Sequence, residues 1–146
     1  MSLRITENHK KEIKRELNER LETALEEIGI KAEGYAAKLC PVDTGLLRNS
    51  ITSAVGGKET SIKKYTADKA KKGKELKSGS YSGIATAEKN PYVILGSNVK
   101  YAPYIETGTR KKRTRPARPA RPFIKPALTD HVRQYRRILK EELSHE

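Results

Sequence analysis

Tryptophan is absent from this 146-residue chain and phenylalanine occurs once. Packing therefore falls to leucine, isoleucine, valine and the seven tyrosines. With 35% hydrophobic against 34% charged residues the core must be small. The single cysteine, Cys40, excludes an internal disulfide framework and suits a reducing compartment. No apolar run approaches the roughly 18 residues that a membrane span needs, and no signal-peptide pattern opens the sequence. His9, His131 and His145 show no metal-ligand spacing among themselves or with Cys40. Each reads as a surface residue, and no metal or cofactor is expected.

What is present is positive charge, unevenly placed. The formal net charge is +13. Residues 57–80 hold eight bases against three acids, residues 110–125 hold eight against none, and the remainder balances. An electrically neutral frame thus carries two basic segments, which favour an anionic partner: nucleic acid or an acidic protein face. A charge run is also what a solvated loop looks like.

The length suits one domain over residues 1–146. Ile13, Leu17, Leu21, Leu25 and Ile28 recur at helical spacing, joined by Ala32, Tyr35, Ala36 and Leu39, and predict a helix over 6–39 with Thr6 as N-cap. Pro41 ends it. Such a helix would span about 50 Å at ~1.5 Å per residue, too long for a domain with a radius of gyration of about 15 Å. A bend near Gly29 or Gly34, or an end resting on a neighbouring subunit, would resolve this; a bend with some projection is expected. A first strand is expected over 49–56. Residues 57–80 offer no face to bury and read as a mobile basic loop, with a short weak helix around 62–72 as an alternative. Residues 81–88 and 92–98 predict a β-hairpin turning at Lys89-Asn90-Pro91. Residues 101–107 predict a short helix with Pro103 in its first turn and Gly108 stopping it.

Glu106 closes that helix, where the dipole does not favour a carboxylate; it calls for a partner such as Arg48 or a base of the next subunit, or else lies exposed. Residues 110–121 alternate base and proline and predict an extended arm without internal hydrogen bonds. A C-terminal helix follows over 126–143, opened by Pro126 and apolar along Ala127, Leu128, Val132, Tyr135, Ile138 and Leu139. The fold class is α+β: long N-terminal and C-terminal helices packed on a small antiparallel β-sheet with long basic loops.

Asp43-Thr44-Gly45 invites comparison with aspartic proteases. That chemistry needs two carboxylates sharing a proton, so one copy per chain would serve only in a homodimer. The residues before it, ending in Cys40-Pro41, are not the apolar strand such a site requires. A structural turn is expected, and no enzymatic activity.

Three stretches carry a family resemblance. Pro41-Val42-Asp43-Thr44-Gly45-Leu46-Leu47-Arg48-Asn49-Ser50-Ile51 resembles the first signature of the small head–tail joining and tail-completion proteins of long-tailed double-stranded-DNA phages and prophages. Tyr101-Ala102-Pro103-Tyr104-Ile105-Glu106-Thr107-Gly108-Thr109 resembles the second. Pro122-Phe123-Ile124-Lys125-Pro126-Ala127-Leu128 resembles the third. The basic segments are longer than that family leads one to expect.

The resemblance implies a structural virion protein, assembled in the bacterial cytoplasm into a ring between portal-side and tail-side proteins, with DNA passing through. Asp43, Thr44, Gly45, Tyr101, Tyr104, Glu106, Gly108, Pro122, Phe123 and Pro126 would be fold or subunit-interface elements. The cations Lys63, Lys64, Lys71, Lys72, Arg110, Lys111, Lys112, Arg113, Arg115, Arg118 and Arg121 would line the lumen against phosphates or dock on an acidic face of the adjacent ring. No membrane partner is expected. The rival is a free, sequence-nonspecific nucleic-acid-binding protein using both basic arms. Stacking on single strands has little support in the sequence, since only Tyr65 and Tyr81 stand near the basic runs.

Overall fold

A computed structural model describes residues 7–56, 63–81 and 91–144. The chain is α+β. In order it comprises helix α1 (Glu7–Leu39), helix α2 (Leu46–Ser50), strands β1 (Thr52–Val55), β2 (Lys63–Thr66), β3 (Ser78–Tyr81) and β4 (Val93–Gly96), and helices α3 (Ala102–Thr107), α4 (Ile124–Thr129) and α5 (Val132–Ser144). Thr6, His145, residues 57–62 and the expected strand and turn beyond Tyr81, up to Asn90, lie outside the described residues.

The 33-residue α1 runs unbroken through Gly29 and Gly34. Its buried residues begin only at Ala24 and continue through Leu25, Ile28, Gly29, Ala32 and Ala36. Residues 7–19 are all exposed, with Ile13 at 58% and Leu17 at 49%. The helix is not interrupted at either glycine, and its exposed first part projects. Gly29 is a point of close approach: a Cβ there would lie 2.6 Å from Ser53 Oγ of β1. Glu33, one turn on, accepts hydrogen bonds from the Ser53 N–H at 2.5 Å and the Ser53 hydroxyl at 2.9 Å. Helix and strand are thereby fixed face to face.

The expected first strand is shorter than 49–56, because its beginning is helical. Gly45 takes φ of +80°, and α2 follows with Leu46, Leu47 and Ser50 buried. β1 then pairs antiparallel with β4, Thr52 opposite Gly96 and Val55 opposite Val93. The expected partner of the 92–98 strand was 81–88; Tyr81 instead belongs to β3, which pairs with β2 in a separate ribbon, Lys63 opposite Tyr81 and Thr66 opposite Ser78.

That second ribbon corrects the reading of 57–80 as a mobile loop or a weak helix: among its described residues it holds two strands and a buried Ala67. Ala67 joins the core, and polar side chains anchor the rest. The Tyr81 hydroxyl donates to the Ser50 carbonyl at 2.8 Å and accepts the Asn98 N–H at 2.6 Å. Tyr65 hydrogen-bonds the Asn98 side chain. Asn98 also donates to the Ser80 carbonyl at 3.0 Å. A two-stranded ribbon is marginal by itself; these bonds attach it to the core.

The C-terminal helix is two helices. Thr129 turns its hydroxyl back to the Lys125 carbonyl at 3.0 Å, and Asp130 closes α4 with an N–H to the Pro126 carbonyl. The break lets the Tyr135 hydroxyl reach the Ala127 carbonyl at 2.6 Å and lays the His131 ring on Tyr35, centroids 3.5 Å apart and 6° from parallel. His131 is therefore a half-buried packing residue and not a surface one. Two apolar clusters result. One joins Ala24, Leu25, Ile28 and Ala32 of α1 to Val55, Tyr135 and Ile138. The other surrounds the fully buried Phe123 with Ala36, Cys40, Leu46, Leu47, Ile51, Ala67, Val99, Ala102 and Ala127.

Candidate functional site

The second cluster is where the three recognisable stretches meet. Leu46, Leu47 and Ile51 come from the first, Ala102 from the second, Phe123 and Ala127 from the third. Around it the chain builds a root for the basic arm.

Glu106 is the centre of that root. Its carboxylate accepts the backbone N–H groups of Phe123 at 2.8 Å, Ile124 at 3.0 Å and Lys125 at 2.8 Å. Helix α4 has no side-chain cap of its own at Phe123, so a carboxylate from α3 satisfies donors that its first turn leaves open. Glu106 ends α3 but faces the positive end of α4, which reverses the expected dipole argument. Burial by itself raises its pKa; the three N–H donors and the nearby Lys125 outweigh that and hold the carboxyl below its ordinary value. Arg48, the expected partner, instead pairs with Asp68.

Gly108 completes the root. It takes φ of +74° and ψ of 179°, a region essentially restricted to glycine. A Cβ there would sit 2.7 Å from both the Ala120 nitrogen and the Arg118 carbonyl oxygen. The Arg121 N–H donates to the Ile105 carbonyl at 2.8 Å. Both ends of the arm are thus held against α3.

Between those ends the arm departs from expectation. It is not an extended tether without internal bonds. Thr109 and Arg118 exchange backbone hydrogen bonds at 2.9 and 3.0 Å, and Lys112 and Arg115 do so at 2.9 and 3.2 Å. The arm is a narrow hairpin that turns at Arg113-Thr114, and every residue from 110 to 122 is exposed. Proline explains the sparse ladder: Pro116, Pro119 and Pro122 lack N–H donors. No ion pair joins an arm cation to an acid among the described residues. Glu106, the acid at its base, is occupied by backbone.

The Asp-Thr-Gly turn anchors the other basic segment. The Thr44 carbonyl accepts the N–H groups of Asp68 at 2.8 Å and Lys69 at 3.3 Å. A Cβ on Gly45 would lie 2.0 Å from an Asp68 carboxylate oxygen. Asn49 donates to the Thr66 carbonyl at 2.8 Å and to Asp68 at 2.9 Å. Asp43 is exposed and pairs with Lys71 at 3.1 Å.

With these two anchors in place, both basic segments line one open groove of about 1430 Å³. Lys69, Lys71, Lys74 and Lys77 come from the connection between β2 and β3; Arg110, Lys112, Arg115, Arg118 and Arg121 come from the arm. The acids on its lining are Asp43 and Glu75. The Asp43-Thr44-Gly45 turn, Tyr101 and Tyr104 line it too, with the tyrosines 42% and 62% exposed.

Of the expected cationic contacts, Lys71, Arg110, Lys112, Arg115, Arg118 and Arg121 line this groove. Lys63, Lys64, Lys72, Lys111 and Arg113 do not. Lys63 is committed to its own subunit, 3.4 Å from Glu33 and 3.3 Å from the Ile51 carbonyl. Lys69, Lys74 and Lys77 were legible as part of a basic run but not as groove-lining residues. Among the described residues no group of three or more His, Cys, Asp or Glu could hold a metal, and no helix is long and apolar enough to cross a membrane.

Comparison with protein-family models, with curated proteins and with solved structures gives no match.

Proposed function

We propose that this chain is a structural assembly protein of a tailed phage or prophage, forming a ring at the head–tail junction through which DNA passes. The observation that carries the reading is the arm: a fully exposed, acid-free cationic hairpin whose two ends are clamped by Glu106 and Gly108. A chain that folds a rigid root for such an arm presents it to something outside its own subunit. Two further features support the reading. The three stretches that resemble the family's signatures converge on one core cluster. The exposed N-terminal part of α1, with Ile13 and Leu17 uncovered, offers a surface for a neighbouring copy.

In this reading subunits close through heterologous contacts. The cationic groove meets DNA phosphates without reading sequence, or receives an acidic face of the adjacent ring. Both uses weaken with salt. Asp43, Thr44 and Gly45 hold a turn, and the protein is not an enzyme.

The second reading, a free nucleic-acid-binding protein, is favoured by the groove itself, where nine cations face two acids. Sedimentation separates the two. The ring protein self-associates at high concentration, or on mixing with its portal-side and tail-side neighbours, and binds duplex DNA weakly as a monomer. A chain that stays monomeric in every mixture yet binds duplex tightly at physiological salt belongs to the second reading.

A further inference from the structure

We infer that the groove between the two basic segments is a binding site for single-stranded nucleic acid, with Tyr101 and Tyr104 as its stacking platform. The inference requires only the groove and not the ring. The sequence offered Tyr65 and Tyr81 as aromatic neighbours of the basic runs. The structure places both elsewhere: neither lines the groove, and their hydroxyls belong to the network around Asn98 and Ser50 that holds the β2–β3 ribbon. In their place it brings Tyr101, the residue before α3, and Tyr104, within α3, onto the groove lining with the lysines and arginines.

Three observations point to a single strand over other anions. First, both tyrosine rings are substantially exposed although they lie beside the core, Tyr101 at 42% and Tyr104 at 62%. Exposed aromatic faces in a cationic groove are what unpaired bases stack upon, at about 1–3 kcal/mol per base. Bases in a duplex are already stacked on each other and cannot use them. Second, both basic segments contribute charge to the lining, four lysines from the β2–β3 connection and five Lys or Arg residues from the arm, so a backbone lying in the groove meets cations. Third, the groove, about 1430 Å³, exceeds the roughly 300–1,000 Å³ of small-ligand sites, which leaves room for several linked nucleotides. Asp43 and Glu75 also line it; Asp43 is offset by Lys71 at 3.1 Å. Arg115 and Arg118 add planar guanidinium faces that stack as well as pair with phosphate.

The test is fluorescence anisotropy with labelled probes on the full chain. The probes are a short oligothymidine, its abasic counterpart, a duplex of equal length, and polyglutamate of equal charge. Oligothymidine should bind more tightly than the other three, with the abasic strand at least about tenfold weaker. Tyr101→Ala with Tyr104→Ala should weaken oligothymidine binding by a similar factor and leave abasic binding unchanged. The matching Phe pair, which keeps the rings, should restore it. Arg115→Gln with Arg118→Gln should weaken every probe and flatten the salt dependence. Equal affinity for abasic strand and oligothymidine overturns the inference, and that comparison needs no variant to fold. So does a duplex or polyglutamate bound as tightly as oligothymidine, or a Phe pair as weak as the Ala pair. A chain that never self-associates but prefers single strands sinks the ring and leaves this site standing.

Discussion

Glu106→Ala tests whether one carboxylate holds the arm's root. In the folded chain it accepts three backbone N–H bonds of 2.8, 3.0 and 2.8 Å from the start of α4. Hydrogen bonds to a charged group contribute about 1.5–3 kcal/mol each where both sides are dry, but this carboxylate is only part-buried and water can replace it at the freed donors. The loss of an N-cap, about 0.5–2 kcal/mol, is the closer guide, and three donors in one acceptor place the cost near the upper end, about 2 kcal/mol. Glu106→Gln keeps one acceptor oxygen and loses the charge, so about half of that should be lost. For a chain of this size about 1 kcal/mol moves Tm by roughly 4 °C. Thermal unfolding should therefore fall by about 8 °C for Ala and about 4 °C for Gln.

The pH dependence follows from the same geometry. The folded carboxyl has a pKa below its ordinary value of 4.5, so the folded state binds this proton less readily than the unfolded chain. The stabilisation is fully present above that ordinary value and is lost as pH falls through the lower, folded value. The gap between wild type and Glu106→Gln should be constant near neutrality and narrow below pH 4.5. An Ala variant within about 0.5 kcal/mol of wild type, the range of ordinary surface substitutions, or a gap that does not close in acid, would refute the reasoning.

Gly108→Ala forces a side chain into a glycine-only conformation and against the Arg118 carbonyl and Ala120 nitrogen, both 2.7 Å away; it should cost about 1–3 kcal/mol, read by chemical denaturation. Tyr81→Phe leaves the Ser50 carbonyl and the Asn98 N–H without their shared partner; a loss of about 1–2 kcal/mol, with faster hydrogen exchange across Lys63–Thr66, should follow. Ile13→Glu with Leu17→Glu alters residues that are 58% and 49% exposed and belong to neither core cluster; the melting temperature should hold within a few degrees while self-association at high concentration is abolished, as sedimentation would show.

The elements that were legible in the sequence have apolar periodicity or a punctuating residue. Leu25, Ile28, Ala32 and Ala36 announce α1, and Pro103 with Gly108 brackets α3. The elements that were not legible are held by polar groups that meet only in three dimensions. The β2–β3 ribbon depends on Asn98, some seventeen residues beyond Tyr81, and on Asn49 and Asp68 beside the Asp-Thr-Gly turn. No local pattern encodes those meetings. The cap on α4 comes from a residue seventeen positions before Phe123, so a search for a Ser, Thr, Asp or Asn at the helix start finds Phe123 instead. The groove was hidden for the same reason: each basic segment was visible as a run of charge, but their juxtaposition depends on two turns at Gly45 and Gly108.

The contrast between the two basic segments bears on what they do. The 63–81 region is tied down, with Lys63 beside Glu33, Lys71 beside Asp43 and the Asp68 carboxylate taken by Arg48 and Asn49. The arm has seven cations between residues 110 and 121 and no acid of its own. Like charges held in one hairpin repel, and solvent screens that repulsion only over about 8–10 Å. The chain accepts this cost and secures the hairpin at its base, through Glu106, Gly108 and the Arg121–Ile105 bond, instead of neutralising it along its length. Internal neutralisation would have been simpler, since nine acids lie elsewhere in residues 1–56 alone. A fold that uses the carboxylate at the arm's base on backbone donors, and leaves the arm's cations without an ion-paired acid among the described residues, is what the anionic partner proposed above would require.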